Sequence, residues 1–102
     1  MTDASHEIAS AKLITATAID ERTDDLIRLA KNIWNHPEPG FREHRTAKKT
    51  AEFMRATGLE PREGVAITGV VARLDTGRPG PHIAIMGELD SLIVPEHRLA
   101  DP

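Results

Sequence analysis

Glu88 and Asp90 are the residues of this sequence best placed to do chemistry. They stand two apart, directly after the apolar run Ile83-Ala84-Ile85-Met86 and Gly87. In a strand, residues two apart lie on one face. The spacing therefore predicts two carboxylates delivered together at the C-terminal end of a strand, which is where open α/β sheets build their sites. Such a pair can bind a hard or borderline metal, or one acid can orient a histidine ligand. On spacing alone a plainer reading is favoured, in which the two acids solvate and end the strand.

Other chemistry-bearing residues are dispersed. The five histidines, His6, His36, His44, His82 and His97, include no His-x-x-x-His pair, so a zinc-protease helix is not written here. His36 and His44 read as turn or surface residues. His97 reads as a solvated loop residue, although its loop follows Asp90 closely enough to reach a site there. Arg42, Arg45, Lys48, Lys49 and Arg55 make one side of a predicted helix basic, but the net charge is −3 and no aromatics are interleaved. A solvated face, not a nucleic-acid surface, is the better reading. Gly77-Arg78-Pro79-Gly80 is no phosphate loop, because no helix is predicted to start behind it. There is no Gly-x-Ser-x-Gly element for a serine hydrolase. The absence of cysteine removes disulfides and thiolate metal sites from these residues.

The elements that must carry Glu88 and Asp90 can be read from periodicity. Residues 1–9 are polar and are expected to fray. Ser10 is a candidate cap for a first helix. Leu13, Ile14, Thr17, Ala18, Leu26, Ile27, Leu29, Ala30, Ile33 and Trp34 then fall at helical spacing. One helix over about 11–35, or two pieces meeting near 20–23, fits equally well. Two prolines and a glycine in Pro37-Glu38-Pro39-Gly40 end it. A further helix is predicted over about 42–57, with Ala47, Thr50, Ala51, Phe53 and Met54 as its apolar stripe and Gly58 as its left-handed terminator. Beyond Gly58 the period turns strand-like: a short strand at 59–62, another at 68–74, a turn at 76–80 joining a hairpin, and a strand at 81–86. The last run is apolar on both faces, which predicts a central strand covered on both sides.

Size and composition set the frame. A chain of 102 residues makes one small domain with a thin core. Aromatics are limited to Trp34, Phe41 and Phe53, so Ile, Leu, Val and Ala must build that core. The charge gives no case for nucleic acid or an acidic membrane. No apolar run approaches the roughly 20 residues of a membrane span, and the polar start lacks the apolar segment of a secretory signal. A cytoplasmic address is the default expectation.

Taken together, three segments resemble the N-terminal region of the aminoacylase/carboxypeptidase family of metal-dependent amidohydrolases, which cleave N-acyl amino acids and related amides. The branch containing the aminobenzoyl-glutamate hydrolases looks most similar. The segments are Ile33-Trp34-Asn35-His36-Pro37-Glu38-Pro39-Gly40-Phe41-Arg42-Glu43-His44-Arg45-Thr46-Ala47, then residues 69–74, then Ile85-Met86-Gly87-Glu88-Leu89-Asp90-Ser91-Leu92. The likeness extends over about residues 20–102. It implies that Asp90 matches the family's aspartate at this strand end, which supports a metal-binding histidine where members carry His-x-Asp. Glu88 stands where those members have the histidine, so here it lines the site and is not assigned as a ligand. It also implies that the remaining ligands, and the general base, come from segments that follow residue 102.

The resemblance thus implies an α/β fold: two N-terminal helices followed by the first strands of a mixed sheet, in an incomplete catalytic domain of zinc-peptidase type. Residues 10–102 would be the N-terminal part of that domain, with the lid domain absent. The expected function is that of part of an amidohydrolase acting on small N-acyl amino acids or aminobenzoyl-glutamate-like amides. The parent would hold zinc or manganese and form a homo-oligomer; the isolated chain would hold no metal and be inactive. Neither nucleic acid nor membrane is an expected partner. The rival expectation is a small non-catalytic α/β interaction module that completes its sheet with a partner or by dimerising.

Overall fold

The computed structural model describes residues 2–100 and contains three helices and a two-stranded antiparallel sheet. The protein is α/β, as expected. It divides into two units, one running to Asn32 and the other starting at Ile33.

In the first unit, α1 spans Asp3–Glu21 and α2 begins at Thr23; α2 runs to Trp34, so its last two residues belong to the second unit. The two-piece alternative is therefore the one observed, with the join at Arg22. There the backbone leaves the helical region (φ −106°, ψ 11°), and Thr23-Asp24-Asp25 opens the next helix with acidic residues in its first turn. The start of α1 departs from expectation. Thr2, not Ser10, is its cap, with the Thr2 hydroxyl accepting from the Ser5 N–H. Residues 3–9, expected to fray, are helical. No residue of α1 is buried; Ile8, Leu13, Ile14 and Ile19 are all exposed.

In the second unit, α3 (His44–Ala56) packs on β1 (Arg62–Val65) and β2 (Gly69–Val71). The core is small and built from small residues: Ala47, Ala51 and Thr46 from α3, with Glu43 and Thr68 beside them. Short side chains on this face let the helix approach the hairpin closely. Helix α3 ends as the sequence predicts. Gly58 has φ +90°, its N–H donates to the Arg55 carbonyl at 3.0 Å, and the Leu59 N–H donates to that of Met54 at 3.0 Å. This is the Schellman arrangement, which needs a left-handed residue at the position of Gly58.

The strands differ from expectation. The hairpin turns at residues 66–68, not at 76–80. Arg62 pairs with Val71, Glu63 with Val70 and Val65 with Gly69, leaving Gly64 (φ +76°) as a bulge. Residues 72–94 contain no regular element. The predicted central strand at 81–86 is therefore absent among the described residues, and with it the mixed sheet. The physical reason is the ladder. A strand exists by pairing its N–H and C=O groups with a neighbour, and none runs beside this segment. Ile83, Ile85 and Met86 are 83%, 97% and 91% exposed.

Candidate functional site

Two of the three segments singled out by sequence, residues 33–47 and 85–92, meet at Glu38. The turn that precedes α3 runs through Pro39, Gly40, Phe41 and Arg42, closed by the Arg42 N–H donating to the Pro39 carbonyl at 3.0 Å. Phe41 takes φ +59°, a left-handed conformation in the place where a type II turn usually has glycine. This turn folds the chain back so that the Glu38 carboxylate lies on the first turn of α3. Its Oε1 accepts from the Thr46 N–H at 2.6 Å and from the Thr46 hydroxyl at 2.7 Å; its Oε2 accepts from the Arg45 N–H at 3.1 Å.

The need for such a partner follows from the local sequence. The residue at the N-cap is Glu43, whose side chain makes no capping bond. The first N–H groups of a helix have no partner within it, so a group from elsewhere must serve. The Glu43 carboxylate is committed differently: its Oε2 accepts from the Thr68 hydroxyl at 2.6 Å, tying the hairpin turn to the start of α3. No buried side-chain nitrogen or oxygen is left without a partner among the described residues.

Both carboxyls titrate below the ordinary glutamate value. For Glu38, desolvation pushes upward, but the bonds from Thr46 and Arg45 and the nearby charge of His44 outweigh it. For Glu43, the Thr68 hydroxyl is the main cause, helped by backbone N–H groups and opposed by desolvation and by repulsion from Glu38.

The backbone of Glu38 carries the second junction. Its carbonyl accepts the Ser91 N–H at 2.8 Å. This bond seats the Glu88-Leu89-Asp90-Ser91 stretch on the His36–Phe41 turn. Glu88 and Asp90 themselves are exposed, while Leu89 and Ser91 are half-buried. The two acids sit on irregular backbone, not on the strand end that the spacing predicted. His97 is held in a local turn over residues 94–100, where its Nδ1 accepts from the Leu99 N–H at 3.2 Å. The basic residues of α3 are partly neutralised: Lys49 pairs with Glu52, and Arg55 with Glu63 of β1.

Among the described residues, no three His, Cys, Asp or Glu side chains are placed to hold a metal ion. Glu88 and Asp90 do not make up a metal cage with their neighbours, so the donors present here do not fit a complete metal centre. What this arrangement supplies is positioning: a capped helix, a fixed turn, and a carboxylate-bearing segment docked on that turn.

Sequence comparison decides the family. The chain is 34% identical over 80 residues to thermostable carboxypeptidase 1 of Saccharolobus solfataricus, covering 78% of this chain and 20% of that protein. It is 32% identical over 85 residues to IAA-amino acid hydrolase ILR1-like 2 of Arabidopsis thaliana, covering 83% of this chain and 19% of the relative. With the N-acyl-L-amino acid amidohydrolase of Geobacillus stearothermophilus it shares 32% over 78 residues, or 76% of this chain and 21% of the relative. The chain belongs to the aminoacylase/carboxypeptidase family of amidohydrolases. It spans about a fifth of the length of the curated relatives it matches. No family model matches it, and neither does any solved structure.

The sequence singles out Glu88 and Asp90 by residue type and spacing, whereas the contacts that Glu38 and Thr46 make were missed. A signal for them exists. A helix start with no Ser, Thr, Asp or Asn at its cap, preceded by an acidic residue between two prolines, points to a cap donated from the turn. No helix among the described residues is long and apolar enough to cross a membrane.

Proposed function

We propose that this chain is the N-terminal portion of a metal-dependent amidohydrolase of zinc-peptidase-like fold. Its substrates are N-acyl amino acids, including amides of the aminobenzoyl-glutamate type. Three relatives act, by their names, on IAA-amino acids, N-acyl-L-amino acids and N-acetylcysteine, and these share an acylated amino acid as the chemical class. The observation that carries the reading is the Ser91–Glu38 bond, which joins two of the segments that resemble the family and seats the residue next to Asp90 on the turn.

In this reading Asp90 borders the site as a hydrogen-bond acceptor and Glu88 lines it. The divalent metal, zinc or manganese, is held by residues outside this chain and would supply Lewis-acid chemistry and an activated water. The parent works in the cytoplasm as a homo-oligomer. The chain of 102 residues alone is inactive.

The test is a graft. Residues 20–100 replace the aligned stretch of the Geobacillus amidohydrolase, and amino-acid release from an N-acetyl amino acid is followed. Activity is expected in the graft and not in the 102-residue chain alone. Asp90→Asn in the graft is expected to lower it about 10–100-fold, the usual cost of losing a partner of a metal ligand. A folded graft with activity indifferent to Asp90→Asn would remove Asp90 from the site. Metal-dependent amidase activity of the chain alone would overturn its proposed inactivity.

A second reading is favoured by the exposure of Ile83, Ile85 and Met86: an interaction module that completes its sheet with a partner or a second copy. A monodisperse, cooperatively melting chain of 102 residues would favour this reading over the first.

A further inference from the structure

We propose that Glu38 is a positioning residue that couples the N-terminus of α3 to the Asp90 segment. This rests on the reading that Asp90 borders the site, but its test does not depend on hydrolysis. One residue makes both connections. The carboxylate holds Arg45 and Thr46 at the start of α3, and the carbonyl of the same residue holds Ser91. Helix α3 is the most firmly packed element, with Ala51 fully buried on the hairpin. The Asp90 segment has no strand to belong to. Residues 72–94 form no ladder, and Glu88 and Asp90 are exposed. Its order therefore depends on what it docks against, and among the described residues its backbone bond to a distant group is that of the Ser91 N–H to the Glu38 carbonyl.

The coupling is geometric. Pro37 and Pro39 stiffen the backbone on either side of Glu38, so the turn moves as a unit and the carboxylate clamp sets where that unit sits against α3. Clamping the carboxylate on α3 fixes where the carbonyl points. Releasing the carboxylate frees the turn, and the acceptor for Ser91 moves with it. Sub-ångström placement of groups at a site decides rate, so a turn far from the reacting atoms in sequence acquires a role through Asp90.

The experiment compares backbone amide exchange by NMR in the 102-residue chain and two variants. Glu38→Ala removes the clamp. Ala51→Gly destabilises the same helix without touching the turn, and temperature is adjusted so that the two variants have equal global stability. Ser91 exchange is expected to be about ten-fold faster in Glu38→Ala than in the matched Ala51→Gly chain, because only the former releases the docked segment locally. Glu38→Gln should fall between, since its amide oxygen can still accept from Thr46 while its nitrogen cannot accept from Arg45. Equal Ser91 exchange in the matched variants would overturn the proposal, reducing Glu38 to a helix cap. So would Ser91 exchange in Glu38→Gln as slow as in the parent chain. Should Glu38→Ala not fold, the comparison of Glu38→Gln with stability-matched Ala51→Gly carries the same decision.

Discussion

At the scale of single residues, the hairpin turn contains the clearest strain. Ile67 has φ +81° and Ala66 φ +48°, both left-handed. A β-branched residue there brings Cβ against the following carbonyl, at roughly 1–2 kcal/mol. Little is gained in return, since the Ile67 side chain is 67% exposed. Ile67→Asn, which tolerates this conformation, is expected to raise stability by about 1 kcal/mol and the melting temperature by about 4–8 °C. The neighbouring Gly69 is the opposite case. A Cβ at that position would run into the Val65 carbonyl oxygen across the hairpin. Gly69→Ala should therefore cost about 1–3 kcal/mol. Thermal melts followed by circular dichroism check both. Unchanged melting in both variants would mean that the turn is not held as described. The proposed site residues follow the same logic of legibility. Glu88 and Asp90 were visible because their types and spacing carry meaning locally. The role of Glu38 was not, because it depends on Ser91 arriving at its carbonyl from far along the chain.

At the scale of elements, helical period and terminators were readable where they rest on local physics. Helices α2 and α3 lie where the apolar spacing put them, and Gly58 ends α3 through its own left-handed backbone. Strands were less readable, since β structure is decided by partners. The hairpin at 66–68 escaped notice because its turn uses Ala66 and Ile67 in conformations those residues rarely adopt. Helix α3 also carries a pH signature. The Glu38 and Glu43 carboxyls both titrate below their ordinary value in the folded chain. A carboxyl with a depressed folded pKa contributes stability that is present above its unfolded value, about 4.3, and lost as pH falls through its folded value. The groups facing them are Thr46, Arg45 and His44 for Glu38, and Thr68 for Glu43, where the Glu38 carboxylate opposes ionisation. The melting temperature should thus be level near neutrality and fall below about pH 5. Glu38→Gln should lower the plateau and shallow the acid fall. A parallel profile in the variant would assign the acid sensitivity elsewhere. By contrast, the Arg55–Glu63 pair between α3 and β1 lies at the surface, and Glu63→Gln should change stability by no more than about 1 kcal/mol.

At the scale of the whole molecule, the dominant fact is apolar surface that the second unit does not cover. Ile83, Ile85, Met86, Leu92 and Ile93 are exposed along one stretch of irregular backbone. Its sequence is that of a buried strand, and apolar on both faces it is suited to a sheet with layers on each side. A run of this kind, free of a ladder, has unpaired backbone groups and open apolar side chains, the combination that drives association through strand edges. The family relationship points the same way, since the chain spans about a fifth of the length of the relatives it matches. The chain in isolation should therefore bind a hydrophobic dye and associate as its concentration rises, by sedimentation velocity. Ile85→Lys places a charge at the most exposed apolar position of the run and should suppress association severalfold while leaving the α3–hairpin melt within about 0.5 kcal/mol of the parent chain. The two readouts separate the causes. Association that persists in Ile85→Lys would move the driving surface to the exposed apolar residues of α1. A chain that stays monomeric throughout would mean that residues 81–93 find an internal partner in solution, and that the sheet is larger than the two strands β1 and β2.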